Sequence, residues 1–148
     1  AELTLRYPDG HTDTICTDAS WQTAESAVRF SELYDGETYD AAFEPSVWTP
    51  AVICDGPTDT LIEQQGEPVR EQERIAPARI FKTPAGEIVV DFGQNLTGYV
   101  EIALDGVKGE AVELSHAEVL DKNGNFYTEN YRSAKAKYLY FCKDGAQR

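Results

Sequence analysis

Apolar and polar residues alternate in short runs along the first third of the chain. Residues 2–7 read ELTLRY, residues 12–16 read TDTIC, and Pro8, Asp9 and Gly10 stand between them. A period of two broken by turn-forming residues predicts a β-hairpin. TDASWQ (17–22) and AVRF (27–30) follow as short extended pieces, and AVICD (51–55) as a short strand. SELYDGETYDAAFEPSVWTP (31–50) is polar, turn-rich and aromatic, which predicts a long surface excursion. GPTDTLIEQQGEPVREQERIAP (56–77) mixes Gly, Pro and charge without a period, as expected of a connection between two units.

From residue 78 the pattern sharpens. ARIFKT, IVVDF, TGYVEIAL, AVELSHAEVL and AKYLYFC are separated by turn sequences at PAGE, DGVKGE and DKNGN. Val100, Ile102 and Leu104 fall on one strand face and Glu101 on the other; Val112 and Leu114 oppose Glu113 in the same way. Such alternation belongs to antiparallel strands with one face in a core and one in water. With a turn roughly every ten residues, the pattern predicts a mainly β fold, an antiparallel β-sandwich. One helix is predicted, at TENYRSAKAK (128–137), with Thr128 as its cap.

Charge strengthens the division. Residues 1–70 carry net −11 and residues 71–148 net −2, within a total of −13. A step of this kind predicts two units meeting near residue 70. The acidic balance excludes nucleic acid and anionic membrane as partners, since both require Lys and Arg. No run of 18 or more apolar residues predicts a membrane helix. The chain starts at Ala1, has no Met and ends soon after an apolar run, which reads as a piece of a longer protein. Cys16, Cys54 and Cys142 are widely spaced, odd in number and without a C-x-x-C pair. They predict buried free thiols, not a disulfide framework or a zinc site.

Few residues announce chemistry. Asp91-Phe92-Gly93 looks like the magnesium triplet of protein kinases, but the H-R-D-x-x-x-x-N loop and the strand lysine are missing. GQNLTG lacks the lysine of a phosphate loop; its glycines and amides suit a turn. Asn95-Leu96-Thr97 fits the short glycosylation sequon. DKNGN has Gly124 and Arg132 where a calcium loop would differ, and Asn123-Gly124 predicts a hairpin turn instead. Glu32, Asp35, Glu37, Asp40 and Glu44 are interleaved with Tyr34, Tyr39 and Trp48. Carboxylates beside exposed rings can bind a sugar, and clustered oxygens also suit calcium; a solvated loop has the same composition. No carboxylate pair is singled out for glycoside hydrolysis. His116 and Glu118, two apart on one predicted strand face, have no nucleophile beside them.

Three segments together resemble the bacterial α-L-rhamnosidases: SELYDGETYDA (31–41), DFGQNLTGYV (91–100) and LSHAEVLDKNGNFYTENYRSAKAKYLY (114–140). The corresponding family stretches read much like Y-D-G-E-x-Y-D-A-R, D-F-G-Q-N-x-x-G-W-V and H-A-E-x-L-D-x-x-G-x-x-Y-T-E-N-L-R-x-A, in the same order. Ala42, Tyr99 and Tyr131 depart from them, standing for Arg, Trp and Leu. The resemblance implies that residues 1–72 are the C-terminal portion of an N-terminal β-sandwich. Residues 73–148 would begin a jelly-roll or concanavalin-like sandwich. It further implies a parent that hydrolyses terminal α-L-rhamnosides with inversion, using a catalytic barrel that lies outside these residues. The expected partners are the parent's other domains and rhamnose-containing glycans. No cofactor is implied, although some members bind rhamnose with calcium. Tyr34, Asp35, Glu37 and Trp48 become candidate sugar contacts; Asp91, Gly93, Gln94, Asn95, His116, Glu118, Glu129 and Arg132 are family-motif residues expected to hold structure.

Overall fold

The computed structural model describes residues 1–56 and 60–148. The expected connection at 56–77 lies partly outside them, at residues 57–59. The described chain is all β apart from one short helical turn. In order, the strands are β1 (Glu2–Arg6), β2 (Thr12–Cys16), β3 (Gln22–Thr23), β4 (Val28–Glu32), β5 (Gly36–Asp40), β6 (Thr49–Pro50) and β7 (Arg79–Lys82). Then come β8 (Ile88–Asp91), β9 (Leu104–Gly106), β10 (Ala111–Ser115), β11 (Val119–Leu120) and β12 (Phe126–Tyr127). A 3₁₀ turn (Glu129–Tyr131) precedes β13 (Lys137–Phe141) and β14 (Gly145–Gln147). Among the described residues no helix is long and apolar enough to cross a membrane.

The chain divides into two compact units. Residues 1–26 and 44–68 make one; residues 27–43 and 69–148 make the other. In the first, β1 and β2 form the predicted antiparallel hairpin, with Leu3 opposite Ile15 and Thr4 opposite Thr14. Its turn is closed by the Tyr7 N–H, which donates to the His11 carbonyl at 2.9 Å. Strands β3 and β6 pair antiparallel through Thr23 and Thr49. AVICD contains no strand, against expectation; the Ala51 N–H is donated to Trp21 O at 2.8 Å.

The second unit is organised on a four-stranded sheet in the order β10-β13-β5-β4. Strands β10 and β13 pair antiparallel, with Val112 opposite Tyr140 and Leu114 opposite Tyr138. Strands β13 and β5 run parallel, with Tyr140 beside Tyr39 and Lys137 beside Gly36. Strand β4 closes the sheet antiparallel to β5, with an irregularity between Val28 and Phe30. Tyr39 and Tyr140 stack with centroids 5.6 Å apart and planes within 4°. This corrects the reading of residues 31–50 as a surface excursion. Tyr39 belongs to a strand of the unit's main sheet, because β13 supplies the backbone partner of β5 that the local sequence does not announce.

Two hairpins follow expectation. Strands β7 and β8 pair from Arg79–Asp91 to Lys82–Ile88. Strands β11 and β12 meet across DKNGN, where Asp121 Oδ1 accepts the N–H groups of Asn123 and Asn125, each at 2.8 Å. Two other expectations fail. Residues 97–103 of TGYVEIAL form no strand, and Val100 and Ile102 are exposed. Among the described residues no strand pairs with them, and the Glu101 side chain between them joins Arg74 at 2.9 Å. The helix at 128–137 shrinks to one turn: Thr128 gives no side-chain cap bond, and Arg132 leaves the helical region with φ 59 and ψ −110. Cys142 is buried, as expected of a structural thiol, but Cys16 and Cys54 are exposed.

Burial is sparse. Cys142 is the only fully buried apolar side chain among the described residues, and large residues such as Ile80, Ile88 and Tyr99 lie open.

Candidate functional site

A concavity of the second unit forms where the β4–β5 turn meets the segment before β13. Glu32 shapes the turn: its Oε2 accepts the N–H groups of Tyr34 and Asp35 at 2.7 and 2.8 Å. Gly36 then adopts φ +102, a conformation open to glycine and costly for other residues. The turn is fixed to the facing segment by Ala136 N–H donating to Tyr34 O (3.0 Å) and Lys137 N–H donating to Asp35 O (3.2 Å). Lys135 Nζ donates to Asp35 Oδ2 at 2.8 Å. That hydrogen bond and the Asp35 charge, with Glu32 further off, raise the Lys135 pKa.

Across from the turn runs the loop 130–134. Between them is a shallow depression of about 640 Å³, lined by Glu32, Tyr34 and Asp35 on one side and by Asn130, Arg132 and Ser133 on the other. Tyr34 is 66% exposed. Tyr131, which also lines it, has a raised phenol pKa through burial first and the Glu118 charge second. Such a surface can offer carboxylate acceptors, guanidinium and amide donors and a ring face together.

Of the four predicted sugar contacts, Tyr34 and Asp35 meet here. Glu37 lies further along β5, opposite Ser31 and beside Tyr138. Trp48 belongs to the first unit. Among the described residues no group of three or more His, Cys, Asp or Glu is placed to hold a metal ion.

The family-motif residues are spread over several local structures. Asp91 ends β8: Oδ1 accepts the Gly93 N–H at 2.7 Å, and Oδ2 accepts from Arg79 Nε at 2.9 Å. These bonds, the Gly93 one foremost, hold its carboxyl below the ordinary aspartate range. Gly93 has φ +76, and a Cβ there would press on Ala78 Cβ at 3.3 Å. The triplet that looks like a kinase motif is therefore a turn that finishes a hairpin. Gln94 is exposed. Asn95 Nδ2 reaches Glu118 Oε1 at 3.4 Å. His116 and Glu118 lie past the end of β10, not on it. The His116 ring bonds Ala136 O through Nδ1 at 3.1 Å and meets Tyr138 edge-on at 5.2 Å. Glu129 opens the 3₁₀ turn, and its carbonyl accepts the Arg132 N–H at 3.3 Å. Sequence reasoning missed that Glu32 and Arg132 face one depression; one hundred residues separate them, and no local pattern carries that proximity.

All-β architecture with antiparallel hairpins is consistent with a concanavalin-like β-sandwich. The chain belongs to the bacterial α-L-rhamnosidase family: residues 1–73 match the α-L-rhamnosidase N-terminal domain and residues 81–148 the bacterial α-L-rhamnosidase concanavalin-like domain. An α-L-rhamnosidase of Alteromonas sp. is 36% identical over 98% of this chain and 17% of its own length. The crystal structure of α-L-rhamnosidase from Aspergillus terreus superposes with a TM-score of 0.86 at 32% identity, covering 99% of this chain and 18% of that one. That of Streptomyces avermitilis α-L-rhamnosidase complexed with L-rhamnose gives 0.84 at 30% identity, covering 99% and 16%. The chain spans between 15% and 17% of the length of the curated relatives it matches.

Proposed function

We propose that this region is a non-catalytic β part of an enzyme that hydrolyses terminal α-L-rhamnosides with inversion, and that it supports the enzyme's catalytic barrel. Its partners on this reading are the enzyme's remaining domains, and rhamnose-containing glycans are the substrate of the whole.

The observation that carries the reading is the open apolar surface. Ile80 and Ile88 on one hairpin, Tyr39 and Tyr138 on the main sheet and Leu3 and Ile15 on the first hairpin are all exposed. Strand faces with this pattern are ordinarily covered by another layer, and the relatives are several times longer than this chain.

The test is direct. The purified chain incubated with p-nitrophenyl α-L-rhamnoside releases no p-nitrophenol above the buffer blank. Saturable release by the pure chain overturns the reading.

A further inference from the structure

We propose that Asn123 is a site of spontaneous covalent modification: the Gly124 nitrogen closes on the Asn123 side-chain carbonyl to a succinimide, water opens the ring to aspartate or isoaspartate, and Asp121 holds the reaction in check.

The chemistry balances with water as the only co-reactant. Gly124 N gives up its proton and bonds to Asn123 Cγ; the Cγ–Nδ2 bond breaks, and Nδ2 leaves as ammonia. Water then adds to one of the two ring carbonyls. Opening at Cγ gives aspartate, and opening at the main-chain carbonyl gives isoaspartate, with the chain rerouted through the side chain. Either product carries a new carboxylate.

Sequence and exposure single out the position. The chain has four asparagines, Asn95, Asn123, Asn125 and Asn130, and Asn123 alone precedes a glycine. Leu96, Phe126 and Tyr131, which follow the others, place a side chain beside the attacking nitrogen. Gly124 places none, and its backbone is the freest to rearrange. Asn123 is exposed on its turn, so water reaches the ring once it forms.

In the closed turn the reacting groups are already engaged. The nucleophile, Gly124 N–H, donates to Asp121 O at 3.0 Å. The leaving group, Asn123 Nδ2, donates to Asp121 Oδ2 at 3.5 Å. Asp121 Oδ1 draws the turn together by accepting the N–H groups of Asn123 and Asn125, each at 2.8 Å. One residue thus occupies both partners of the cyclisation. The reaction runs from the opened turn, and its rate follows the population of that opening.

The consequence reaches the neighbouring hairpin. Asn125 Oδ1 accepts the Ala85 N–H at 2.9 Å, and Phe126 N–H donates to Glu87 Oε2 at 3.2 Å. These two bonds latch the DKNGN turn onto the turn between β7 and β8. Isoaspartate inserts one more backbone atom between positions 123 and 124 and carries Asn125 out of register. A carboxylate at 123 also replaces the amide donor beside Asp121 Oδ2 with a like charge, which repels it. Both products loosen the latch. This holds whatever the whole enzyme hydrolyses.

The experiment ages the folded 148-residue chain in mildly alkaline, heavy-oxygen water at physiological temperature. Trypsin cuts after Lys122, so the peptide 123–132 carries the site. Mass spectrometry is expected to find the amide-to-acid mass gain, with one heavy oxygen, at Asn123 before Asn95, Asn125 or Asn130. Asp121→Ala, shown to be folded by circular dichroism, is expected to convert about fivefold faster or more, because the bonds that close the turn are gone. The parent unfolded in guanidinium has no turn to open and gives the ceiling rate, also about fivefold or more above the folded chain. That comparison stands even if the variant does not fold. In the converted chain and in Asn123→Asp, hydrogen exchange at the Ala85 and Phe126 amides is expected to quicken. Four results overturn the proposal: no conversion at Asn123, earlier conversion at another asparagine, a folded rate within twofold of the unfolded one or of folded Asp121→Ala, or unchanged exchange at Ala85 and Phe126 after conversion.

Discussion

Gly36 lies against the backbone of Lys137 so closely that a Cβ on it would collide with the Lys137 carbonyl oxygen and come within 2.7 Å of the carbonyl carbon and 2.9 Å of the nitrogen. This contact sits where β5 starts its parallel run beside β13. It explains the glycine of YDGETYDA as a packing requirement, reinforced by φ +102. Gly36→Ala is expected to cost more than about 3 kcal/mol, since the clash is with backbone and the conformation is wrong for alanine. Gly98→Ala, whose Cβ would find only Leu96 Cδ1 at 3.9 Å, should change stability by less than about 0.5 kcal/mol. Urea unfolding of the two variants checks both numbers.

Gln147 ties the C-terminal strand to the main sheet. Its Oε1 accepts from Tyr140 OH and Lys143 N–H, both at 3.0 Å, and its Nε2 donates to Lys143 O at 2.8 Å and Gly145 O at 3.1 Å. The side chain is 9% exposed. Gln147→Leu keeps the volume and strands these partners, so a loss of about 1–3 kcal/mol is expected. Gln147→Glu, which retains the acceptor, should lose less; thermal unfolding at neutral pH ranks the pair.

Acid should loosen two turns. Asp91 and Asp121 both have carboxyls below the ordinary aspartate value of 3.8, mainly because backbone N–H groups of Gly93 and of Asn125 bond their charged forms. A depressed folded pKa contributes stability that is complete above the unfolded value and disappears as pH falls through the folded one. The thermal midpoint is therefore expected to decline as pH drops below about 4. Asp91→Asn and Asp121→Asn should start lower at neutral pH and show a shallower acid decline. A parallel decline in parent and variants would show that these carboxyls are not responsible.

Arg132→Gly should gain about 1 kcal/mol, because φ 59 with ψ −110 strains arginine and suits glycine. Arg132→Ala keeps the strain and gains nothing. Differential scanning calorimetry of the two variants separates backbone relief from the mere removal of a side chain.

What the sequence made legible follows from range. The β1–β2, β7–β8 and β11–β12 hairpins are local: strand, turn residues and strand lie within about fifteen residues, so alternation and turn chemistry suffice. Asp91-Phe92-Gly93 could be assigned to a turn for the same reason. The parallel pairing of β5 with β13 joins residues a hundred apart and has no turn to announce it, so residues 31–50 looked like an excursion. The strand expected at 97–103 had the right alternation but no neighbour to pair with. Tyr34 and Asp35 could be noticed as residue types and Arg132 as a motif position, whereas their meeting across one depression had no local pattern to announce it. Family membership was readable because long motifs survive where single residues say little.

The central claim is that the apolar strand faces left open here belong against further parts of a rhamnosidase. Nile red fluorescence of the native 148-residue chain tests it most directly, because that dye is uncharged and a net charge of −13 does not repel it. The account predicts strong dye binding at neutral pH by a chain whose circular dichroism is that of a folded β protein, since open apolar patches of this extent are unusual on monomers. A folded chain that leaves the dye dark, as a domain with a closed core does, would contradict it.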